Sequence, residues 1–364
     1  MKPLRSFAIA TAFAVTAAPV AMAATGAPDA LLPETTRLEH ALTFATTNCG
    51  GAVLQTPQPG TQFASDAADM PAPARSFYAL AAQHRVRWLS SIDCERTGRT
   101  HALIPAGSDA KDAPGVQSVN TNYTSSNWSG YQFNHTARFV QATYIVPTVS
   151  NPTPGYSTNG YAASVWAGIG GGFGASTSDP LIQSGTALQI NGTVKTYYHW
   201  YEVVNGPSDT NGEIRINSLT AHAGDSVGTV SLWLSNTLQA EMGICNLSSG
   251  VCVQFYVPNT PAPGASTEWI VEAPTSGLYP RPLAKFGTVS FGNVCWASTY
   301  TPNSTVNCGA FTGANPIKLQ QNVLGGYQTL AQPGAMAANG DFTDYYQQPQ
   351  QIVICGRLGY PPCP

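Results

Sequence analysis

The sequence predicts an all-β fold, an antiparallel sandwich or barrel, preceded by a partly helical N-terminal segment. From about Ser118 onward, short β-branched and aromatic runs such as "ATYIVPTV" (142–149), "EIRINSL" (213–219), "GTVSLWLS" (228–235) and "FGTVSF" (286–291) alternate with clusters of Gly, Pro, Asn and Ser. From about Thr25 to Lys111 the chain is instead Ala-rich, with apolar residues at helical spacing. The 364 residues are 43% hydrophobic, ample for a core, but only 10% charged, against roughly 25% in an average soluble domain. A net charge of -3 offers no basic footprint, so nucleic acid is not an expected partner.

Taken in order, Lys2 and Arg5, the apolar run Phe7 to Ala18 and the small-residue site Ala21-Met22-Ala23 read as an export signal over 1–23. The run is shorter than the roughly 20 residues of a membrane span, so a secreted protein with no membrane partner is expected, extracellular or periplasmic. Helical patches follow at "RLEHALTFA" (37–45), with Gly50-Gly51 as a stop, and at "SFYALAAQHRVRWL" (76–89). The stretch "PAGSDAKDAPGVQSV" (105–119) has linker composition. It divides a propeptide, 24–115, from a mature β domain, 116–364; the alternative is a helical part that stays attached. Five arginines of the propeptide, Arg75, Arg85, Arg87, Arg96 and Arg99, are expected to pair with carboxylates of the mature domain near neutral pH. A β domain so poor in ionisable groups should tolerate acid.

Eight cysteines suit an exported chain and an oxidising compartment. Local spacing pairs Cys245 with Cys252, Cys295 with Cys308 and Cys355 with Cys363, leaving Cys49 for Cys94. No C-x-x-C occurs and the histidines are scattered, so no metal site is expected. There is no G-x-S-x-G elbow, and His135, His199 and His222 read as structural.

The stretch "STEWIVEAP" (266–274) puts Glu268, Ile270 and Glu272 on one face of a strand. Buried carboxylates are costly without partners, so this face is either wet or chemically active. The two glutamates stand roughly 13 Å apart along an extended chain, too far to act as a pair. A catalytic partner must come from another strand.

"TEWIVEAP" is similar to a signature strand of the glutamic peptidases, or eqolisins, and further segments follow in that family's order: "SNWSGY" (126–131), "VWAGIGG" (165–171), "LIQSG" (181–185), "YYHWYE" (197–202), "AGDSV" and "FGTVSF". The resemblance covers about Ser125 to Phe291. It implies a concanavalin- or lectin-like sandwich and an acid endopeptidase in which Glu272 takes a proton from water while Gln183 orients that water and stabilises the oxyanion, with no cofactor. It also implies substrate contacts at Trp128, Trp166, Trp200 and Glu202. Glu268 is expected to be a hydrogen-bonded structural carboxylate at the cleft margin. Gly170 and Tyr198 stand where the family has acids. Expected partners are protein and peptide substrates and the chain's own propeptide as inhibitor, with a monomer assumed. The competing reading is a sandwich that binds or cleaves carbohydrate.

Overall fold

The computed structural model describes residues 44–49, 52–57, 71–105, 123–176, 178–207, 212–309 and 311–351. Among these, one helix accompanies two stacked, mainly antiparallel sheets. The export signal and the boundary at 115/116 lie outside the described residues, as do Cys355 and Cys363.

One sheet, hereafter the cleft sheet, runs in the order Ala314–Val323, Trp128–Phe133, Thr267–Glu272, Tyr161–Ile169, Leu181–Asn191, Val194–Val204, Ile214–Thr220, Cys94–Arg96. The back sheet runs Phe342–Tyr346, Thr288–Ala297, Phe139–Ile145, Ser226–Leu234, Gln239–Asn246, Val251–Val257. Strand Gly326–Pro333 pairs with Ala314–Val323 and with Phe342–Tyr346, joining the sheets at one edge. Period-two alternation builds the core between them. Val165, Ala167, Ile169, Tyr201, Val203, Trp269 and Val271 point inward from the cleft sheet against Val140, Ala142, Met242, Ile244, Val253 and Phe255 of the back sheet. The even-numbered residues of "TEWIVE" therefore face outward from the core.

Both outer faces are covered by the N-terminal segment. Helix Ala72–Gln83 lays Ala74, Phe77, Tyr78 and Ala81 on the back sheet, over Phe139, Val230, Leu232 and the Cys245–Cys252 pair. Gly243 makes room, since a Cβ there would sit 2.9 Å from the Phe77 ring. On the opposite face, Ala102 and Leu103 pack over Trp128, Trp166 and Trp200.

The helix begins earlier than its periodicity suggests, because Pro73 fits the first turn, where its missing N–H is not needed. It stops at Gln83, and Arg85 with φ 51° turns the chain. Arg87–Trp88 then pairs parallel to Val251–Cys252, so the second half of the "SFYALAAQHRVRWL" patch is not helical. Residues 37–43 of the first patch lie outside the described residues, and its last two begin a strand. Phe44–Cys49 is a strand in a hairpin with Ala52–Pro57, tied to the cleft-sheet edge by the disulfide Cys49–Cys94. Cys245–Cys252 and Cys295–Cys308 also pair as spacing predicts.

Candidate active site

The outward face of the cleft sheet is organised in cross-strand rows. One row holds Gln132, Glu268, Gly168, Gln183 and Glu202, and a second, four residues along, holds Trp128, Glu272 and Ser164. Gln183 and Glu272 thus share a face but stand diagonally, in different rows. All five cleft residues singled out with Gln183 are fully buried: Trp128, Trp166, Trp200, Glu202 and Glu272.

Glu272 is held on both oxygens. Trp166 Nε1 donates to Oε2 at 2.7 Å and Asn127 Nδ2 to Oε1 at 2.9 Å. Burial pushes its carboxyl above the ordinary value, and His101, Trp166 and Asn127 offset this only in part. Gln183 Nε2 approaches Glu202 Oε2 at 3.4 Å, while Gln183 Oε1 accepts no hydrogen bond. Glu202 is pushed up to about 7 by burial, against the lowering influence of His101 and of hydrogen bonds from Thr100 Oγ1 (2.6 Å) and the His101 N–H (2.8 Å).

The gap between the Gln183–Glu202 pair and Glu272 is filled by His101, which sequence reasoning missed. Its N–H donates to Glu202 Oε2, the oxygen Gln183 also approaches, and its ring Nδ1 lies 2.9 Å from Glu272 Oε2. Ring Nε2 lies 2.7 Å from Glu213 Oε2. The imidazole stacks on Trp200, with centroids 3.7 Å apart and planes 4° apart. Burial alone would depress its pKa, but the two carboxylates win and raise it to about 10. His101 is therefore an imidazolium, donating from both nitrogens. Glu213 answers it: burial pushes its carboxyl up, but His101, Arg99 and Thr97 outweigh that and hold it below the ordinary range.

The rest of the segment is held through its main chain. Trp128 Nε1 donates to His101 O, Asn127 Nδ2 to Ala102 O and Thr275 Oγ1 to Thr100 O, while Ile104 N–H donates to Asn127 Oδ1. Arg99 and Thr100 also pair antiparallel with Thr275 and Ser276. Of the five arginines singled out in the N-terminal segment, Arg99 enters the cleft region, 3.5 Å from Glu213. Arg75 donates to Pro302 O, away from it.

Glu268 departs from expectation. It is fully buried beside Gln132 and Gly172, neither oxygen has a partner in good hydrogen-bond geometry, and burial pushes its pKa well up against the opposing influence of nearby Ser266. A neutral carboxyl explains how it is tolerated there. The two departures from the family pattern have local reasons. Gly170 has φ 90°, and a Cβ would meet Pro180 O at 2.3 Å, so no acid fits. Tyr198 donates its hydroxyl to Glu213 Oε1 at 2.7 Å, so a carboxylate is present at that spot from the neighbouring strand. His135 bonds Thr267 and His199 bonds Thr186, in keeping with structural roles.

A strand-borne carboxylate among tryptophans, with an amide side chain on the same face, defines a hydrolase-type site on a β-sandwich. Residues 126–332 match the Peptidase A4 family. The chain belongs to that family, the glutamic peptidases, and its substrates are peptides. The carbohydrate reading gives way to this assignment. No curated protein matches the chain. Among solved structures, it is similar to aspergilloglutamic peptidase from Aspergillus niger, with 23% identity over 51% of this chain and 99% of that one and a TM-score of 0.41. It is also similar to the enzymatically active domain of bacteriophage CBA120 tailspike protein 2, with 16% identity over 53% of this chain and 33% of that one and a TM-score of 0.24.

Proposed function

We propose that this glutamic peptidase is a secreted acid endopeptidase in which Glu272 and Gln183 activate water, and that residues 24–115 form its removable inhibitor, released after an export signal at 1–23 is lost. In this reading ionised Glu272 takes the proton of a water that attacks the scissile carbonyl, then returns it to the leaving amine. Gln183 donates its amide N–H to the developing oxyanion. Trp128, Trp166, Trp200 and Glu202 line the path of the substrate.

The observation that carries the reading is the position of His101. One residue of an extended segment reaches Glu272 with its ring and, with its N–H, the Glu202 oxygen beside Gln183. A peptide bond lying in the same gap would have the carboxylate on one side and the amide on the other. The segment that fills it is joined by linker sequence to the mature domain, and no disulfide among the described residues crosses that linker.

Incubation of the full chain with a denatured protein at about pH 4, where carboxyl chemistry titrates, should yield new peptides and a fragment starting between about Pro105 and Asn120, the span of linker composition. Glu272→Gln should lower kcat/KM by about 100- to 10,000-fold and stay unprocessed. Gln183→Ala should cost about 100- to 1000-fold with the fold intact. Full activity of Glu272→Gln would sink the assignment.

A further inference from the structure

His101 is the one fully buried side chain of the stretch 99–105. The hydrogen bonds of that stretch with Trp128, Asn127 and Thr275 use main-chain atoms, which any sequence supplies. Its partly buried neighbours Arg99, Thr100, Ala102 and Leu103 also touch the cleft, but the enclosed side-chain site is the surroundings of one ring. Those surroundings are a flat indole beneath and a carboxylate at each end. The indole is fixed, because Trp200 Nε1 donates to Ser164 Oγ at 2.8 Å. Glu213 is fixed by Tyr198 at 2.7 Å and by Thr97 Oγ1 at 2.5 Å, and Glu272 by Trp166 and Asn127. The charged and titratable groups facing the ring from neighbouring elements are Glu202, Glu213, Glu272, Tyr198 and Arg99.

We propose that Trp200, Glu213 and Glu272 form a binding pocket for a planar cation, an imidazolium or a guanidinium, and that ligands of this class inhibit the enzyme competitively. A flat cation satisfies all three walls at once: its face takes the stacking and cation–π attraction of the indole, and N–H donors at opposite edges meet the two carboxylates. A phenyl ring stacks equally well but takes the charged donor away from both carboxylates, leaving Glu272 only its neutral donors Trp166 and Asn127. An alkylammonium carries charge without a face. Inhibition follows because the ligand occupies Glu272 Oε2, the oxygen that accepts the proton of water in the proposed mechanism. That last clause rests on the catalytic reading of Glu272, whereas the binding does not.

The test is chemical rescue in the full chain. His101→Ala vacates the pocket while leaving the main-chain contacts in place. Imidazole and methylguanidinium should bind this variant, quenching tryptophan fluorescence and raising Tm, at least tenfold more tightly than methylammonium or toluene. Adding Glu213→Gln should erase that preference. Equal binding of all four probes, no binding of imidazole, or a preference indifferent to Glu213→Gln would each overturn the proposal. A second comparison needs no empty pocket: His101→Arg should keep the exchange protection of the residue-101 amide within about threefold of wild type, and His101→Phe should lose tenfold or more. The reverse order also overturns it. If imidazole binds but fails to compete with peptide substrate, the pocket stands and the catalytic role of Glu272 falls.

Discussion

The N-terminal segment grips the sandwich twice, and the two grips differ in kind. On the back sheet, helix Ala72–Gln83 buries Phe77 and Tyr78 in an apolar seat with one buried hydrogen bond, Tyr78 to Gln254 at 2.7 Å. On the cleft sheet, residues 99–105 are held by buried charge: one imidazolium among Glu202, Glu213 and Glu272. Apolar burial scarcely depends on pH, whereas a buried ion pair is worth what its protonation states allow. A segment fastened by one grip of each kind can open at the cleft while remaining anchored behind.

The comparison breaks most visibly if each grip is cut separately. His101→Leu strands two buried carboxylates, a loss of roughly 3–5 kcal/mol for breaking such a pair. Exchange protection of the amides of residue 101 and Ile104 should fall by about 100-fold or more, at about 1.4 kcal/mol per tenfold, with helix 72–83 unchanged. Phe77→Ala opens a cavity costing about 3–5 kcal/mol and should expose the helix amides while residues 101 and 104 stay protected. Loss of both regions in either variant would mean that the segment docks as one unit.

The second expectation is a pH profile, and its sign follows from each group. The contribution of His101, raised to about 10, is complete below its ordinary value and is lost as pH rises through about 10. Glu202, near 7, and Glu272, also raised, oppose docking when ionised and cease to do so as pH falls. Glu213, held low, contributes above the ordinary carboxylate range and loses its contribution as pH falls through its lowered value. Protection of the residue-101 amide, corrected for intrinsic exchange, should therefore rise as pH falls through about 7 and fall again once pH drops below the ordinary carboxylate range. Glu213→Gln should remove the acid limb. The helix should show little of either limb, since its buried face is apolar apart from Tyr78. A profile falling steadily from pH 8 to pH 4 would contradict these assignments.

How much of this was legible depends on whether a feature is local. Alternation in "TEWIVE" and "GTVSLWLS" made the strands readable, and close spacing made the disulfides among the described residues readable. Gln183 and Glu272 could be proposed because each sits in a short family-like motif on a regular strand. His101 and Glu213 were not, because neither has a local signature: a lone His in "RTHAL" acquires meaning only when an irregular segment crosses a sheet formed about a hundred residues later. At the end of the "RLEHALTFA" patch, Phe44 and Ala45 depart from helical spacing because Phe44–Cys49 pairs with Ala52–Pro57 and is bridged to Cys94. Strands Ala314–Val323, Gly326–Pro333 and Phe342–Tyr346 carry none of the motifs readable in the sequence, yet they close the sandwich edge.

The smallest expected effects sharpen the contrast most, because the same kind of cut can be made on both sides. Thr100→Val removes a 2.6 Å hydrogen bond to Glu202 Oε1, and Tyr78→Phe removes a 2.7 Å one to Gln254 Oε1. Each should cost about 1–2 kcal/mol of docking at its own end. Thr100 is one of the groups that hold the Glu202 pKa down, so its loss pushes that value above about 7. The cost of Thr100→Val should then be felt above about pH 7, where the carboxylate is ionised, and largely vanish near pH 5, where it is already protonated. Tyr78, whose hydroxyl is pushed well above its ordinary value by burial and by Glu241, stays neutral throughout. The Tyr78→Phe cost should therefore be the same at both pH values. Exchange protection of residues 101 and 80 in the two variants, measured at both pH values, decides the matter. A Thr100→Val penalty equal at pH 5 and pH 8 would show that the cleft grip is ordinary hydrogen bonding, not charge held out of water.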